Sequence, residues 1–374
     1  MKKTTNLGIN TICTHVGEVK DEQFKGAISP IYMSTSYAFD GVDVKRYPRY
    51  LNTPNQEALV KKIAALEKTE NALIFGSGMA AVSTTLLAFL KHGDHIVLQQ
   101  TLYGGTYNFV LEEFKKFGIE YSFTKDLKIE SFKECIKPNT KVLYIETPSN
   151  PLLTITDLQA VSELAKSNGI VSMIDNTFAS PINQTPIDFG IDIMIHSATK
   201  YMGGHSDILA GAIATSNEYT EKIWNTAINL GGSLSDFTVW MLERSLNTMN
   251  LRVKCQSDNS LKMAQYLESN SNVARVYYPG LASHPDYELA KKQMKGFGGM
   301  LSFELKEGID AMEFQRKLRL IKPSMSLAGV ESTMLNPAVA SHALMSPEER
   351  ANQGITDGLI RDLIADIEQS LKKM

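Results

Sequence analysis

The sequence predicts an α/β protein, with a mostly parallel sheet in a large domain and a smaller α+β domain at the C-terminal end. Three observations lead to this fold class. Short apolar runs alternate with stretches of helical period between about residues 55 and 215. The ends of these runs are rich in glycine and polar residues, where parallel sheets bind ligands. Beyond about residue 240 the pattern changes to long helices and two further strand-like runs. Such alternation is typical of a parallel sheet covered by helices on both faces.

The large domain is predicted from these elements in order. Residues 1–55 have no sustained helical period, so we expect an irregular arm that another surface holds. A helix is predicted from Asn55 by the apolar positions 59, 63 and 66. Strands are predicted at "NALIF", "HIVLQQ", "KVLYIETP", "IVSMIDNT", "IDIMIHSAT" and "LAGAIAT", and helices between them at "MAAVSTTLLAFLK", "YNFVLEEFKKFG" and "DLQAVSELAKSNG".

The C-terminal part has a different pattern. The segment from Ser235 to Ser269 favours one or two long helices, after which "VARVYYPG" and "GGMLSFEL" predict strands. "LIRDLIADIEQSLKKM" predicts a closing helix. We therefore predict an arm over 1–55, a large domain over 56–240 and a small domain over 241–374.

Composition excludes several classes of protein. The net charge is -3, from 38 basic and 41 acidic residues mixed along the chain, so no basic surface for nucleic acid is expected. The start has no apolar run behind Lys2 and Lys3, and no apolar stretch approaches the roughly 20 residues that span a bilayer, so a cytoplasmic protein is expected. The three cysteines form no CxxC pair. His92 and His95 are close in sequence, and we expect them to be solvated rather than to bind a metal.

"FGSGMAA" (75–81) follows the first strand and opens a helix. Its backbone N–H groups and the helix dipole predict an anion site suited to a phosphate. The same letters fit the dinucleotide fingerprint, which expects an acidic residue at the end of the next strand. "HIVLQQ" ends in Gln99 and Gln100 instead, which disfavours a nicotinamide cofactor. A glycine turn that serves only packing is a third interpretation.

Two charged residues follow apolar strands. Asp175 comes after "IVSM", where a carboxylate is costly unless it meets a positive partner, and Lys200 lies in the hydroxyl-rich "SATKYMGG". Taken singly, Asp175 could cap a helix and Lys200 could be a surface lysine. Together with an anion site they fit pyridoxal phosphate, which needs a lysine, an acid for its pyridine nitrogen and a phosphate site. Tyr103 in "TLYGGT" could stack on the cofactor ring or merely cover the core.

These motifs, with Asn150 in "ETPSNP", resemble the Cys/Met-metabolism family of pyridoxal-phosphate enzymes, which includes cystathionine γ-synthase, cystathionine γ-lyase and methionine γ-lyase. The resemblance runs nearly end to end, through "SLAGVEST" and "SPEERANQGITDGLIR". It implies the aspartate-aminotransferase-like fold (fold type I) and a homotetramer of two tight dimers.

The resemblance also implies a role for each site residue. Lys200 forms the Schiff base with the cofactor and later moves protons, and Asp175 pairs with the pyridine nitrogen. Tyr103 stacks on the ring and assists catalysis. The residues implied to hold the phosphate are Ser77, Gly78, Met79, Ser197 and Thr199, joined by Tyr47 and Arg49 from the partner subunit. Those implied to receive the substrate α-carboxylate are Asn150, Ser326 and Arg361.

The implied activity is elimination or replacement at the γ-carbon of a sulfur-containing amino acid or an activated homoserine. Leu327 stands where bacterial cystathionine β-lyases tend to have tryptophan, and Glu331 lies in a segment typical of the γ enzymes. Cystathionine γ-lyase or γ-synthase activity therefore ranks first, methionine γ-lyase second and cystathionine β-lyase third. An NAD-dependent oxidoreductase and a non-catalytic pyridoxal-phosphate-binding protein are the alternatives from other classes.

Three departures from the family pattern bear on these expectations. "NTPN" replaces the usual N-P-T after the arm's tyrosine and arginine. Gly105 stands where methionine γ-lyases often have a cysteine. A strand that the family has after "GLIR" is absent, since "DLIADIEQ" follows at once, and this puts the placement of Arg361 in question.

Overall fold

The computed structural model describes residues 7–339 and 347–363. Its larger sheet has seven strands: β1 (Asn71–Phe75), β2 (His95–Leu98), β3 (Glu120–Phe123), β4 (Thr140–Glu146), β5 (Val171–Asp175), β6 (Ile193–His196) and β7 (Gly211–Thr215). Their order is β1-β7-β6-β5-β4-β2-β3, and β7 alone runs antiparallel to its neighbours. The predicted α/β fold with a mostly parallel sheet is confirmed.

The helices up to β7 cover this sheet. They are α1 (Ile9–His15), α2 (Pro54–Leu66), α3 (Gly78–Phe89), α4 (Gly104–Phe117), α5 (Ile129–Cys135), α6 (Leu158–Ser167) and α7 (Ser180–Asn183). Short 3₁₀ helices span Pro48–Tyr50 and Pro186–Phe189. On β4, Leu143 and Ile145 enter one core cluster while Val142 and Tyr144 enter another on the opposite face. Because both faces are buried, the strands are continuous apolar runs.

The C-terminal part begins with three helices, α8 (Asn217–Leu230), α9 (Asp236–Leu246) and α10 (Met249–Ser269). A second sheet of order β10-β11-β12-β9-β8 follows. Its strands are β8 (Val273–Tyr277), β9 (Met300–Leu305), β10 (Lys322–Pro323), β11 (Thr333–Leu335) and β12 (Leu359–Leu363), with helices α11 (Tyr287–Gln293), α12 (Ala311–Lys317) and α13 (Pro347–Asn352) between them. The described strands of the two sheets fall within the predicted large and small domains, whose exact limits stay a prediction.

Two expectations about local structure were wrong, and one strand was not predicted. The closing helix predicted from residue 359 begins instead as β12, which pairs with β9 and β11, and its remainder lies outside the described residues. A short apolar run has no decisive period, so its pairing partners determine its structure. Strand β3 was not predicted, because "EYSF" is a half-exposed edge strand. His95 is buried, not solvated, and its ring nitrogens bond Thr140 and Ser122 at 2.8 and 2.9 Å.

The described helices were also compared with the dimensions of a bilayer. None of those within residues 7–339 and 347–363 is long and apolar enough to cross a membrane.

Candidate active site

A cavity of about 580 Å³ lies at the carboxyl ends of the parallel strands, facing β11 and β12 of the second sheet. This is the edge where open α/β sheets bind ligands. The cavity brings together most of the predicted site residues: Ser77, Gly78, Met79, Tyr103, Asn150, Asp175, Ser197, Thr199, Lys200, Ser326 and Arg361. Tyr47 and Arg49 lie outside its described lining.

Lys200 lies in the link between β6 and β7. Its backbone N–H donates to the Ser197 carbonyl at 3.1 Å, and the flanking Thr199 N–H donates to the Ala210 carbonyl at 3.1 Å. The Nζ atom donates to Ser326 Oγ at 2.7 Å. Burial, helped by the nearby Arg361 charge, lowers the Lys200 pKa to about 8, against the opposing effect of Asp175. Lys200 is therefore a fixed amine that is far easier to deprotonate than a surface lysine.

Asp175 ends β5 and is buried. Its Oδ1 accepts the Thr177 N–H at 3.0 Å, and the Thr177 hydroxyl accepts the Ser197 N–H at 2.8 Å. Burial raises the Asp175 pKa, whereas the bonds from Thr177 and the charges of His196 and Lys200 lower it. The N-cap of the next helix is Ala179, so the alternative of Asp175 as a helix cap does not hold.

The anion site forms where β1 turns into α3. Ser77 is the N-cap, and its Oγ accepts the Ala80 N–H at 3.0 Å. A Cβ on Gly78 would lie 2.8 Å from Ser197 Cβ and 3.0 Å from Ser197 Cα, so the turn needs glycine to approach the Lys200 link. The helix N-terminus and Ser197 thus meet in a concave surface with free N–H groups available to an anion.

Tyr103 is the N-cap residue of α4 and is half exposed on the cavity wall. Its ring reaches over Gly105, where a Cβ would lie 2.5 Å from Tyr103 Cε1. The absence of a side chain at Gly105 therefore leaves room for the tyrosine ring on the cavity wall. This placement suits stacking on a planar ligand.

Arg361 occupies β12 and is buried in the cavity wall. Its Nη1 donates to Asn150 Oδ1 at 2.9 Å. Burial lowers its pKa to about 10, so the guanidinium remains charged at neutral pH. The departure from the family pattern after residue 361 thus leaves this arginine beside Asn150, with Ser326 on the same cavity. A guanidinium and an amide in this arrangement can bind a carboxylate.

Tyr47 and Arg49 lie on the surface of the N-terminal arm. The Arg49 guanidinium donates to the Ile228 carbonyl and lies 5.6 Å from the Tyr47 ring centroid. Both side chains therefore contact their own chain away from its cavity. The role implied for them needs a second copy of the chain.

Thr177 and Glu146 are polar cavity residues that the sequence reasoning missed. Thr177 joins the Asp175 and Ser197 segments by the bonds described above. Glu146 ends β4 opposite Asp175 and is also buried. The signal that identified Asp175, a carboxylate directly after an apolar strand, was equally present in "KVLYIE".

These residues fit pyridoxal phosphate. The observation that tests the fit is the concave turn at Gly78, which a Cβ would fill and which places a helix N-terminus beside the Lys200 link. The buried Asp175 carboxylate lines the same cavity and suits a protonated ring nitrogen. The chain thus offers an amine, an acid and an anion site to one ligand.

Comparisons with known proteins agree with this geometry. An L-methionine γ-lyase of Fusobacterium nucleatum subsp. polymorphum is 38% identical over 396 residues, covering 100% of both chains. A cystathionine β-lyase of Lactococcus lactis subsp. cremoris is 40% identical over 370 residues, covering 96% of this chain and 97% of the relative. The crystal structure of cystathionine γ-lyase from Lactobacillus plantarum complexed with L-serine superposes with a TM-score of 0.93 at 35% identity, covering 98% and 97% of the two chains.

The family comparison decides between the two cofactors considered from the sequence. The family described as "Cys/Met metabolism PLP-dependent enzyme" matches residues 10–372. Pyridoxal phosphate is therefore the cofactor, and the dinucleotide interpretation of "FGSGMAA" is wrong. The chain belongs to the Cys/Met-metabolism family of pyridoxal-phosphate-dependent enzymes.

Proposed function

We propose that the chain is a carbon–sulfur lyase that acts at the γ-carbon of a sulfur-containing amino acid, with cystathionine as the first candidate substrate. The observation that carries this proposal is the position of Lys200 Nζ, 2.7 Å from Ser326 Oγ, in the same cavity as the Asn150–Arg361 pair. An amino acid held by its α-carboxylate at that pair presents its Cα to the lysine.

Different residues of the chain have different roles in the proposed reaction. When bound, pyridoxal phosphate supplies the electron sink that makes the Cα proton acidic. Asp175 would hold the pyridine nitrogen protonated, and Asn150, Ser326 and Arg361 would orient the α-carboxylate. Lys200, with its pKa lowered to about 8, takes the Cα proton and moves protons at Cβ. Tyr103 faces the cavity and can donate a proton to the departing sulfur.

Elimination at Cγ breaks the bond between Cγ and sulfur. Cystathionine and water then yield cysteine, 2-oxobutanoate and ammonia. Leu327 lines the cavity beside Ser326, where β-lyases of bacteria tend to carry tryptophan, and this supports γ over β chemistry. Relatives named as β-lyases are equally similar, so cystathionine β-lyase activity stays the third candidate.

Methionine is the second candidate substrate. The cavity wall includes the apolar side chains of Leu209, Met325 and Leu327, which suit a thioether that ends in a methyl group. With methionine and water the same elimination gives methanethiol, 2-oxobutanoate and ammonia.

One set of assays separates these candidates. Purified, cofactor-loaded protein is incubated with cystathionine, with methionine, and with an O-acylhomoserine plus cysteine. Cysteine with 2-oxobutanoate supports γ-lyase activity, methanethiol supports methionine γ-lyase activity, homocysteine with pyruvate supports β-lyase activity, and new cystathionine supports γ-replacement. Loaded protein that converts none of them contradicts the proposal and favours a non-catalytic binding protein.

We further propose that two copies of the chain complete each other's sites within a homotetramer of two tight dimers. The arm exposes large apolar side chains, with Phe24, Met33 and Phe39 at 79%, 70% and 77% exposure. Such a surface favours contact with another chain. Tyr47 and Arg49 lie on this arm, from which they would reach the phosphate bound by a partner.

The site of action is proposed to be the cytoplasm. Cys13, Cys135 and Cys255 are free thiols, as expected in a reducing compartment. Cell fractionation with an antibody to the chain tests this, and recovery in the membrane or secreted fraction would contradict it.

A further inference from the structure

Glu146 is the buried carboxylate of the described cavity lining to which the proposed function gives no task. It ends β4 and stands opposite Asp175 in the register of β4 with β5. Two buried carboxylates on neighbouring strands repel each other, and burying a charge is costly unless it is paired and hydrogen-bonded. Its contacts therefore need an explanation.

The two oxygens of Glu146 hold two separate segments of the cavity wall. Oε2 accepts the Tyr103 backbone N–H at 2.7 Å, and Oε1 accepts the Asn150 backbone N–H at 3.2 Å. Tyr103 belongs to the segment after β2, and Asn150 to the segment after β4. A single carboxylate thus fixes the residue that covers one wall and the residue that contacts Arg361.

The charge of Glu146 is balanced within the cavity. Burial first, and then Asp175 on β5, raise its pKa, while the N–H groups of Tyr103 and Asn150 and the charge of Arg361 on β12 lower it. Because both oxygens accept a backbone N–H and a guanidinium shares the cavity wall, the carboxylate is taken as ionised. The charge of Glu146 opposes the lowering of the Arg361 pKa and so stabilises the Arg361 cation. The carboxylate is therefore linked to Arg361 both by charge and through Asn150, whose Oδ1 accepts from Arg361 Nη1 at 2.9 Å.

We propose that Glu146 is a positioning residue that fixes Tyr103 relative to the Asn150–Arg361 pair. One side chain would thereby align the cofactor ring, which Tyr103 contacts, with the substrate carboxylate, which the pair binds. This inference rests on the proposed function, because that function assigns the ring contact to Tyr103 and the carboxylate to Asn150 and Arg361. Glu146 itself touches neither reacting atom.

Glu146→Gln tests the inference with little change of shape. The amide oxygen can accept only one of the two N–H groups, and the new –NH₂ faces the other donor. We expect the Kd for propionate, a carboxylate without an amino group, to rise at least about ten-fold when it is titrated by the change in cofactor absorbance, the effect of one unmet hydrogen bond. The visible circular dichroism of the bound cofactor should change as well.

Glu304→Gln is the matched control. Glu304 lies on β9 and accepts from Tyr277 Oη at 3.2 Å and Thr356 Oγ1 at 2.7 Å, away from the cavity lining. Propionate binding should stay at the wild-type value in this variant. A Glu146→Gln protein that loads cofactor and binds propionate as the wild type does would overturn the inference.

A second pair of variants tests the inference if the Glu146→Gln protein alone binds the cofactor poorly. Arg361→Met leaves the Glu146 charge without its cation, so adding Glu146→Gln to it should restore part of the lost denaturation midpoint. Additive losses in the double variant would contradict the linkage. Wild-type turnover is measured first, since an inactive wild type defeats the proposed function while leaving the propionate comparison intact.

Discussion

Single residues in this cavity depart from their ordinary chemistry because they are buried beside one another. Lys200, Asp175 and Arg361 all line one cavity, and burial is the first cause of the pKa shift in each. Burial favours the neutral form of every titratable group, so the lysine is made nucleophilic by its surroundings. The pH dependence of cofactor loading follows from this shift.

We predict that incorporation of pyridoxal phosphate into the cofactor-free protein accelerates with pH, reaches half of its maximal rate near pH 8 and levels off above about pH 9. Only the neutral amine attacks the aldehyde, and the Lys200 pKa is lowered to about 8, so half of the amine is neutral at that pH and nearly all of it about one pH unit higher. Stopped-flow absorbance across the pH range measures the rate, with Lys200→Ala as the control that forms no chromophore. A rate still climbing above about pH 9.5, as for an ordinary lysine, would contradict the prediction.

At the scale of the elements, the anion site depends on how closely α3 approaches the link after β6. Gly78 is the first residue of α3, and Ser197 lies directly after β6. The two residues approach so closely that a hydrogen atom fits on the Gly78 Cα where a Cβ would not. We therefore expect the strength of phosphate binding to depend on the packing between these two elements.

Gly78→Ala is expected to weaken cofactor binding at least about ten-fold while the protein stays folded. Alanine suits a helix start, but its Cβ would meet Ser197 at 2.8–3.0 Å, so α3 must shift and a charge-assisted hydrogen bond to the phosphate is lost. Equilibrium titration monitored by cofactor absorbance gives the Kd. Gly8→Ala, where a Cβ meets nothing within 4 Å, is the control. Equal affinity in the two variants would refute this packing account.

On the scale of the whole molecule, the described chain contains a cavity and, separately, an exposed arm carrying Tyr47 and Arg49. A symmetric dimer would place each arm on the other subunit, since a two-fold interface repeats every contact. The apolar side chains of the arm would then be covered by the same contact.

Mixing two inactive variants tests the sharing of sites. The Lys200→Ala variant lacks the amine in each site, and the Arg49→Ala variant lacks the guanidinium that each subunit would supply to the other's site. Each homodimer should therefore have little activity. A mixed dimer holds one intact site, and random reassortment of equal amounts should restore about a quarter of wild-type activity. Turnover is measured after joint refolding or coexpression. No recovery above the separate variants, with mixed dimers present by mass spectrometry, would refute the arrangement.

The sequence allowed site residues to be predicted where a charged side chain falls at a position that the apolar pattern predicts to be buried. Lys200 and Asp175 could be found because a charge directly after an apolar strand needs a reason, and the turn at Gly78 because its glycines sit between a strand and a helix. The same rule applied to Glu146, but its contacts are backbone N–H groups of distant segments, which no local pattern reveals.

Other features depended on partners distant in the chain. Strand β12 was mistaken for a helix because its pairing with β9 and β11 comes from residues far away in the sequence. The edge strand β3 lacks an apolar pattern because half of it faces solvent. Burial of His95 depends on Thr140 and Ser122, which follow it by 45 and 27 positions.

The antiparallel strand β7 has a consequence for local unfolding of the protein. The chain turns back after Lys200 and re-enters the sheet between β1 and β6, and the base of this loop is closed by reciprocal bonds between Thr199 and Ala210 at 3.0–3.1 Å. Opening of the loop at its base breaks these bonds beside the buried strands β6 and β7, and buried strands belong to the most stable part of a protein. We therefore expect the segment of Lys200 to open rarely, so that a cofactor attached there would seldom be lost through local unfolding.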